Sequence, residues 1–212
     1  MTEIMSRYTT SFKAATEHRR TYYALSPKST VPDSEIVKIA ESALLHVPSA
    51  FNSESTRIAV FFGPNHAKLW EIVAKALLQK IGEERFNAGT KDRIAGFANG
   101  YGSILFFDDP GHTRRLKDNS GPLYSDKAEE WTHQSNGMHQ YYVWCALETH
   151  GLGANLQHYN PLIDEEVKKC FDLPEHWILK AQMVFGTPVK EPAEKVQKVP
   201  MAERLIVRGA QN

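Results

Sequence analysis

The sequence predicts an α/β or α+β fold in which helices cover a single sheet. Segments with helical apolar spacing alternate along the chain with short apolar runs of the length of buried strands. No internal repeat or low-complexity tract is present, so a repeat architecture is not indicated. The 212 residues, 42% apolar and 24% charged, are enough for a real core, and we expect one domain, residues 1–212.

Charge and composition argue against several function classes. Lys plus Arg and Asp plus Glu number 25 each, and this balance predicts no nucleic-acid binding, which relies on a basic surface. No apolar run has the length of a signal peptide or approaches about 20 residues, so we expect no membrane insertion. Cys145 and Cys170 are far apart and form no CxxC motif, which suits a reducing compartment. The expected location is the cytoplasm, with the nucleus also compatible.

The first half contains three predicted helices and two strands. A helix through residues 11–17 is followed by a second that opens with Asp33 as N-cap, and by a third. The inner face of the second helix is formed by Ile36, Ile39, Ala40, Ala43, Leu44 and Val47. That of the third is formed by Leu69, Ile72, Val73, Ala76, Leu77 and Ile81. Strands are predicted at residues 57–62 and 103–107, the latter of the fully buried kind.

The second half is organised around residues 131–164. A helix is predicted from Met138, entered through Ser135 as N-cap and an Asn-Gly turn, and buried on most sides. Its inner face would be formed by Met138, Tyr141, Tyr142 and Cys145, widened by Val143, Ala146 and Leu147. It ends at residues 151–153, where glycine can adopt the positive φ of a C-terminal cap. Residues 108–130 precede it as a predicted surface excursion, a lid or a partner contact.

Residues 154–161 mix amides, an imidazole and a phenol with few charges, which is unusual for a surface loop. We expect this loop to lie against a flat ring system, and the alternative is a helix cap followed by a well-packed connection. It carries no dinucleotide fingerprint, since Gly151-x-Gly153-x-x-Leu156 lacks the third glycine and follows a helix. A helix at residues 164–171 and a strand at 178–185 come next. Residues 186–212 predict an arm over another surface, ending in a short strand near residues 205–207.

Two further stretches are candidates for ligand contacts. Arg19, Arg20 and Thr21 lie at a junction between helix and extended chain, where two guanidinium groups and a hydroxyl can hold a phosphate. The alternative is a solvated basic helix end. Residues 46–55 form a polar loop before a strand, and the alternative there is an ordinary Ser/Asn turn.

Several kinds of catalytic site are absent from the sequence. It contains no HExxH motif, no Cys/His pair at zinc spacing, no phosphate loop and no GxSxG elbow. His139 and His150 have no carboxylate or cysteine directly beside them in the sequence, so we expect no metal site. An enzyme with this sequence would carry its chemistry on an organic cofactor, with no catalytic side chain of its own.

Taken together, these stretches resemble the nitroreductase family of FMN flavoproteins, and in particular its fatty-acid-repression-mutant-like branch of fungi and bacteria. The resemblance rests on RRT at residues 19–21, VPSAFNS at 47–53, SxGMxQ at 135–140 and LGANLQHYNP at 152–161. It extends over about residues 7–207. It implies an α+β fold, a three-layer α/β/α sandwich around one mixed sheet. It also implies an intertwined homodimer with two FMN sites at the interface and C-terminal arms, residues 190–212, that reach over the partner subunit.

The resemblance also implies cofactor-binding roles. The FMN phosphate, ribityl chain and pyrimidine edge would be held by Arg19, Arg20 and Thr21. From the other subunit, the isoalloxazine would be contacted by Pro48, Ser49, Ala50 and, at its polar edge, Asn52. The segment that passes over the flavin, with a backbone N–H toward N5, would be Leu156, Gln157 and His158. The phosphate cage would be completed by Lys198 and Arg204.

The sequence departs from the family pattern at three places. Tyr23 occupies a position that is commonly basic, so Lys195 or Lys198 would replace that charge. Glu54 stands where glutamine is frequent, and a carboxylate there would discourage a nearby anion. The basic residue usual in the middle of the chain would be Lys91 or Arg93.

The implied activity is an FMN-dependent NAD(P)H oxidoreductase. NADH or NADPH would reduce the flavin, which would pass two electrons to small planar acceptors, nitroaromatics and quinones, in ping-pong fashion. Tyr124 and Trp131, in or beside residues 108–130, would shape the pocket mouth. The alternatives are another flavin reaction, such as reductive dehalogenation, enone reduction or flavin destruction, and a non-catalytic flavin-binding regulator in a lipid or oxidative/metal stress response.

Overall fold

One five-stranded sheet organises the fold, which a computed structural model describes for residues 12–210. Its strands are β1 (Leu25–Ser26), β2 (Thr56–Phe62), β3 (Gly102–Asp108), β4 (Gly153–Gln157) and β5 (Ile178–Pro188). Strand order is β1-β5-β3-β2, and β4 also pairs with β5. These strand pairs are antiparallel, and an isolated bridge between Thr21 and Ala154 is parallel.

Nine α-helical segments accompany the sheet within residues 12–210. They are α1 (Phe12–His18), α2 (Asp33–His46), α3 (Gly63–Ile81), α4 (Glu83–Arg85), α5 (Lys91–Ala98), α6 (Pro110–Asn119), α7 (Ala128–Thr149), α8 (Asp164–Cys170) and α9 (Met201–Arg204). Short 3₁₀ turns occupy Ala50–Asn52 and Ser125–Lys127, and a π-helical segment occupies Phe86–Thr90.

Strand β3 separates two hydrophobic clusters. Its seven residues are all buried, and successive side chains point to opposite faces of the sheet. Ile104 and Phe106 pack in a cluster with residues of α2 and α7, whereas Leu105 and Phe107 pack in a cluster with residues of α3 and α5. Helices therefore cover both faces of the sheet, and the predicted α+β sandwich is confirmed. The sheet was expected to be mixed, but each of its strand pairs is antiparallel.

Helices α1 and α2 were predicted close to their observed bounds. The predicted first residue of α1, Ser11, lies outside the described residues. The expectation of Asp33 as N-cap is wrong, because the N-cap position is Pro32 and Asp33 already belongs to the helix. Asp33 Oδ1 instead accepts a hydrogen bond from the hydroxyl of Tyr101 at 2.5 Å. Leu44, predicted to face inward, is 42% exposed.

Helix α7 begins ten residues before the predicted start, so Ser135 and Asn136 are not entry signals. The preference of Ser and Asn for helix ends and turns is outweighed here, because both side chains have hydrogen-bond acceptors within the fold. Ser135 Oγ donates to the carbonyl of Trp131 at 2.8 Å, and Asn136 Nδ2 donates to that of Phe107 at 3.0 Å.

The predicted inner face of α7 is also wrong in part. The buried residues are Ala128, Thr132, Ser135, Asn136, His139, Val143, Cys145, Leu147 and Glu148. Met138 and Tyr141 are 43% and 44% exposed, so the helix is not buried on most sides within this chain. The helix ends as predicted, with Gly151 at φ 72°.

The region between β2 and α7 is more regular than predicted. Helix α6 lies inside the expected surface excursion at residues 108–130, and its Leu116 is buried. Helix α5, which was not predicted, contributes Ile94 and Phe97 to the core. Only eight residues long, α5 has too few apolar positions to establish a periodic pattern.

Residues 153–157 form strand β4, so the expectation of a loop after α7 is wrong. Ala154 pairs with Phe185 and Asn155 with Val184, and both side chains are buried. Five residues with mixed polarity do not show strand alternation, and their pairing depends on the distant β5.

At the C-terminus, β5 continues to Pro188, as a longer strand than predicted. The expected strand at residues 205–207 is wrong: these residues are exposed and have no strand neighbour within residues 12–210. Residues 211–212 of the expected arm lie outside the described part. No helix within residues 12–210 is both long and apolar enough to cross a membrane.

Candidate functional site

The arginine motif lies directly against strand β4. Tyr22 N–H donates to the carbonyl of Ala154 at 3.0 Å, and Asn155 Nδ2 donates to the carbonyl of Tyr22 at 2.8 Å. Gly153 permits this approach, because a Cβ there would lie 2.8 Å from Cγ of both Tyr22 and Pro188. Two of the predicted ligand-binding stretches are therefore adjacent in the structure.

Arg19 and Arg20 are both half-buried but have different partners. The Arg19 guanidinium carbon lies 4.6 Å from the centre of the Trp144 ring, a cation–π contact. Arg19 Nε and Trp144 Nε1 are buried without a hydrogen-bond partner among residues 12–210. Arg20 Nη2 donates to the carbonyl of Ala193 at 2.5 Å. Because guanidinium groups carry five donors, both arginines retain N–H groups for an anion.

Two cavities border this motif. One, of about 420 Å³, is lined by residues 19–24 and 190–194. The other, of about 580 Å³, shares Tyr23 and Ala24 with the first and is also lined by Arg93 and Gln157. Of the two candidates for the basic residue in the middle of the chain, Arg93 lines this cavity. Helix α5 brings it there, which spacing along the sequence did not reveal.

The other predicted contacts near this motif differ in accessibility. Leu156 and Gln157, at the end of β4, are partly buried, whereas His158 is exposed. Lys198 and Arg204 are exposed and lie beyond the segment that Arg20 contacts. Their place in a phosphate cage stays a prediction, as does that of Lys195.

The second half of the predicted site is the loop of residues 48–54, which contains Pro48, Ser49, Ala50 and Asn52. Phe51, Asn52 and Glu54 have φ values of 53°, 50° and 48°. This left-handed conformation is unfavourable for residues other than glycine and is found where surrounding contacts enforce it. The loop is therefore held in a particular shape that its sequence alone does not favour.

Polar groups of this loop have defined orientations. Ser49 Oγ accepts a hydrogen bond from Glu54 N–H at 3.0 Å, which leaves the hydroxyl hydrogen available for another acceptor. Asn52 Nδ2 donates to Glu54 Oε1 at 3.2 Å. A carboxylate only accepts, so Glu54 favours the Asn52 orientation in which its Oδ1 is available to a ligand.

The two half-sites lie far apart in one chain. Arg19 contacts Trp144, and the Phe51 ring stacks on Trp131 with centroids 5.7 Å apart. Both tryptophans belong to α7, where thirteen residues of helix correspond to about 20 Å. One chain by itself therefore does not bring the arginine motif and residues 48–54 around the same small ring.

Among residues 12–210, the thiol near the arginine motif is not an activated nucleophile. Burial raises the pKa of the Cys145 thiol, although the hydrogen bond to Tyr141 and the charge of Arg19 act in the opposite direction. Cys145 is therefore a neutral thiol at physiological pH. Within residues 12–210, no cluster of three or more His, Cys, Asp or Glu side chains could hold a metal ion.

Comparisons with known proteins identify the family. The model of the nitroreductase family matches residues 16–187. The Saccharomyces cerevisiae protein HBN1 is 35% identical over 90% of this chain and 94% of its own length. The nitroreductase FRM2 of the same yeast is 32% identical over 88% of this chain and 93% of its own length.

Solved structures agree with these relatives. Lactococcus lactis nitroreductase CinD, solved in complex with chloramphenicol and with 4-nitrophenol, is 38% identical and covers 94% of this chain and 100% of its own. Its TM-scores in the two complexes are 0.82 and 0.81. A Desulfovibrio desulfuricans protein solved with FMN shares the fold, at 18% identity and a TM-score of 0.65, over 96% of this chain and 100% of its own. The predicted family is confirmed, and the chain belongs to the nitroreductase family.

Proposed function

We propose that this protein is an FMN-dependent NAD(P)H oxidoreductase that reduces nitroaromatics and, as a second acceptor class, quinones. The observation that carries the proposal is the Arg19–Arg20 pair, which borders a cavity beside β4; Arg19 Nε is buried there without a hydrogen-bond partner among residues 12–210. Membership of the nitroreductase family and the FMN complex of the Desulfovibrio desulfuricans protein support it.

The residues at this site fit the chemistry of FMN. A phosphate dianion requires several charge-assisted donors, which Arg19 and Arg20 offer and Thr21 can supplement with its hydroxyl. Arg93 and Gln157, which line the adjoining cavity, add a cation and an amide for the other polar groups of the cofactor. Lys198 and Arg204 of the C-terminal arm would contribute further positive charge.

The complete site would be formed by two copies of the chain. Residues 48–54 and the arginine motif are separated by about 20 Å along α7, so a partner must supply the missing half. Large apolar side chains of α2, of residues 48–54 and of α7 are exposed in the single chain, among them Leu45, Phe51, Met138 and Tyr141. Apolar side chains of this size favour burial in an interface. A homodimer accounts for both observations.

When bound, FMN supplies two-electron transfer from NADH or NADPH to the acceptor. The protein residues would bind and orient the FMN. The arginines would neutralise its phosphate, and the Ser49 hydroxyl and Asn52 amide oxygen would contact the polar edge of the flavin. The backbone at residues 156–158 would offer N–H donors to the ring system. Since no side chain must form a covalent bond, one open face can serve the donor and then the acceptor, which predicts ping-pong kinetics.

Two observations suggest the class of electron acceptor: the flat shape of a molecule that can stack on the flavin, and the ligand of a relative. Flat molecules can stack where a nicotinamide ring has stacked, and CinD was solved in complex with 4-nitrophenol.

The cysteines favour a location in the cytoplasm. Cys145 and Cys170 are free thiols of the kind that reducing compartments maintain.

Steady-state oxidation of NADH and NADPH with a panel of nitro compounds and quinones tests the proposal. The FMN-loaded protein should be yellow, turn over nitroaromatics and give parallel double-reciprocal plots. A colourless protein that does not take up added FMN would overturn the flavoenzyme assignment. A flavin-loaded protein that oxidises neither nicotinamide with any acceptor would instead indicate the flavin-binding regulator.

A further inference from the structure

The conformation of residues 48–54 is held by contacts from outside the loop. Phe51, Asn52 and Glu54 adopt left-handed φ values, and the loop itself supplies only short-range hydrogen bonds. Asn52 N–H donates to the carbonyl of Ser49 and Ser53 N–H to that of Ala50, as in any tight turn. These bonds leave the carbonyls of Ser53 and Glu54 to be fixed by other elements.

Two basic side chains bind these carbonyls. Arg57, at the start of β2, donates from Nη1 to the carbonyl of Glu54 at 2.6 Å. His112, in the first turn of α6, places Nδ1 2.9 Å from the carbonyl of Ser53. A carbonyl only accepts, so Nδ1 carries the hydrogen of this bond, and Nε2 lies against the Arg115 guanidinium.

Asp109 connects both donors. Its Oδ2 accepts from Arg57 Nη2 at 2.9 Å, and its own carbonyl accepts from the backbone N–H of His112 at 3.1 Å. Its N–H donates to the carbonyl of Ser55 at 2.8 Å, and its Oδ1 caps α6 by accepting from Gly111 N–H. Asp109 is 6% exposed, so its carboxylate is largely shielded from water.

Asp109 is also a charged acceptor under the conditions in which the protein works. Burial by itself would raise the pKa of its carboxyl, but the hydrogen bond from Gly111 and the charge of Arg57 outweigh it, and the pKa lies below its usual value. An ionised carboxylate forms the stronger, charge-assisted bond to a guanidinium.

We propose that Asp109 is a positioning residue that, through Arg57 and His112, clamps the carbonyls of Glu54 and Ser53 and so presents Ser49 and Asn52 to the flavin. The inference rests on the proposed FMN function. It assigns a role in cofactor binding to Asp109, Arg57 and His112, none of which is predicted to contact the FMN itself. We call this set of hydrogen bonds the clamp. Without it, residues 51–54 relax toward the φ values usual for these residue types, and Ser49 and Asn52 lose their orientation.

Hydrogen exchange on the full-length protein tests the clamp without any cofactor. Asp109→Asn removes the charge yet keeps a good N-cap for α6, since Asn and Asp are comparable there. We expect exchange at the amides of Asn52, Ser53 and Glu54 to accelerate about tenfold, with the amides of β3 unchanged. Arg57→Lys should accelerate exchange at the same three amides, because an ammonium group cannot bridge Glu54 and Asp109 as a planar guanidinium does. Glu35→Gln, which breaks the exposed Glu35–Lys38 pair on α2, is the matched control.

Titration of the same variants with FMN tests the consequence. Asp109→Asn should raise the dissociation constant of FMN about tenfold and shift the visible absorption of the bound flavin, whereas Glu35→Gln should change neither. Unaltered exchange in residues 52–54 would overturn the proposal, and so would a loosened loop with normal FMN affinity and spectrum. A parent protein that binds no FMN would refute the proposed function, and the exchange measurement would then still decide whether the clamp exists.

Discussion

The guanidinium carbon of Arg19 lies 4.6 Å from the ring centre of Trp144, and both side chains bury a nitrogen donor that has no hydrogen-bond partner within residues 12–210. Unpaired buried donors are costly, at about 1–3 kcal/mol each, and are found where a ligand or partner completes the bonding. The pair stands beside the cavity that Arg20 and residues 190–194 line. This relationship links helix α7 to the proposed phosphate site.

Replacement of the arginines should weaken FMN binding selectively. Arg20→Ala removes a hydrogen-bonded charge worth about 1.5–3 kcal/mol, which corresponds to roughly a 10- to 100-fold higher dissociation constant. Arg19→Lys keeps the charge but loses the planar fork and the stacking on Trp144, so it should also weaken binding. Quenching of FMN fluorescence measures the dissociation constant of FMN for each variant. Lys28→Ala, at an exposed lysine, is the control. If Arg20→Ala binds FMN as tightly as the parent, the phosphate assignment is wrong.

A charge on the exposed face of α7 should dissociate the proposed dimer. Met138 and Tyr141 are three residues apart and lie on the same side of the helix, each less than half exposed. Met138→Glu would bury a carboxylate in the interface, and we expect a monomer that also binds FMN poorly. Leu162→Glu, an equally exposed leucine outside α7, should remain a dimer. Sedimentation equilibrium distinguishes the two, and an intact dimer of Met138→Glu would place the interface elsewhere.

Gly153→Ala should destabilise the fold, because the new Cβ would lie 2.8 Å from Cγ of Tyr22 and of Pro188. Overpacking of this kind costs about 1–3 kcal/mol, measured as a lower free energy of unfolding in denaturant. Gly96→Ala, in helix α5 with nothing within 4 Å of the added Cβ, should raise that free energy by about 0.4–1 kcal/mol. Equal stability of the two variants would show that β4 can move away from the arginine motif.

Acidification should destabilise the protein through His66. This buried imidazole has Nδ1 2.9 Å from Ser103 Oγ and Nε2 3.2 Å from the carbonyl of Ala98, and burial lowers its pKa. The Ala98 carbonyl only accepts, so Nε2 carries the hydrogen. With its pKa lowered the imidazole is neutral, so Nδ1 accepts from the Ser103 hydroxyl, whose Oγ also accepts from Trp70 Nε1. His139 is also buried, and its pKa is likewise lowered.

The sign of this effect follows from linkage. The folded pKa of His66 lies below the unfolded value of about 6.5, so the unfolded chain takes up the proton first as the pH falls. Stability is therefore complete above about pH 6.5 and declines below it, by at most about 1.4 kcal/mol per pH unit for one group. Denaturant unfolding between pH 7.5 and 5 should show a shallower decline for His66→Gln than for the parent. Identical slopes would contradict this role of His66.

Much of the candidate site was predicted from short stretches of sequence. The residues at 19–21, 48–52 and 156–158 were singled out by their polarity and by family resemblance, and the structure places the first stretch against Ala154 of β4, the strand that also contains Leu156 and Gln157. The proposed contribution of Asp109 and Arg57 could not be predicted in the same way. These residues act on the loop through contacts that cross from β2 and α6, and nothing in the local sequence marks them.

Local pattern by itself determined the alternation of helices and strands, the apolar faces of α2 and α3, and the glycine end of α7, because each depends on residues a few positions apart. Tertiary structure decided what depends on distant partners. Asn136 lies inside α7 because Phe107 accepts its amide, and residues 153–157 form a strand because β5 offers an edge. Arg93 borders the cavity because α5 packs against α3. Hydrogen bonds and burial between distant segments outweigh local preferences of about 1 kcal/mol or less, so these features could not be derived from spacing alone.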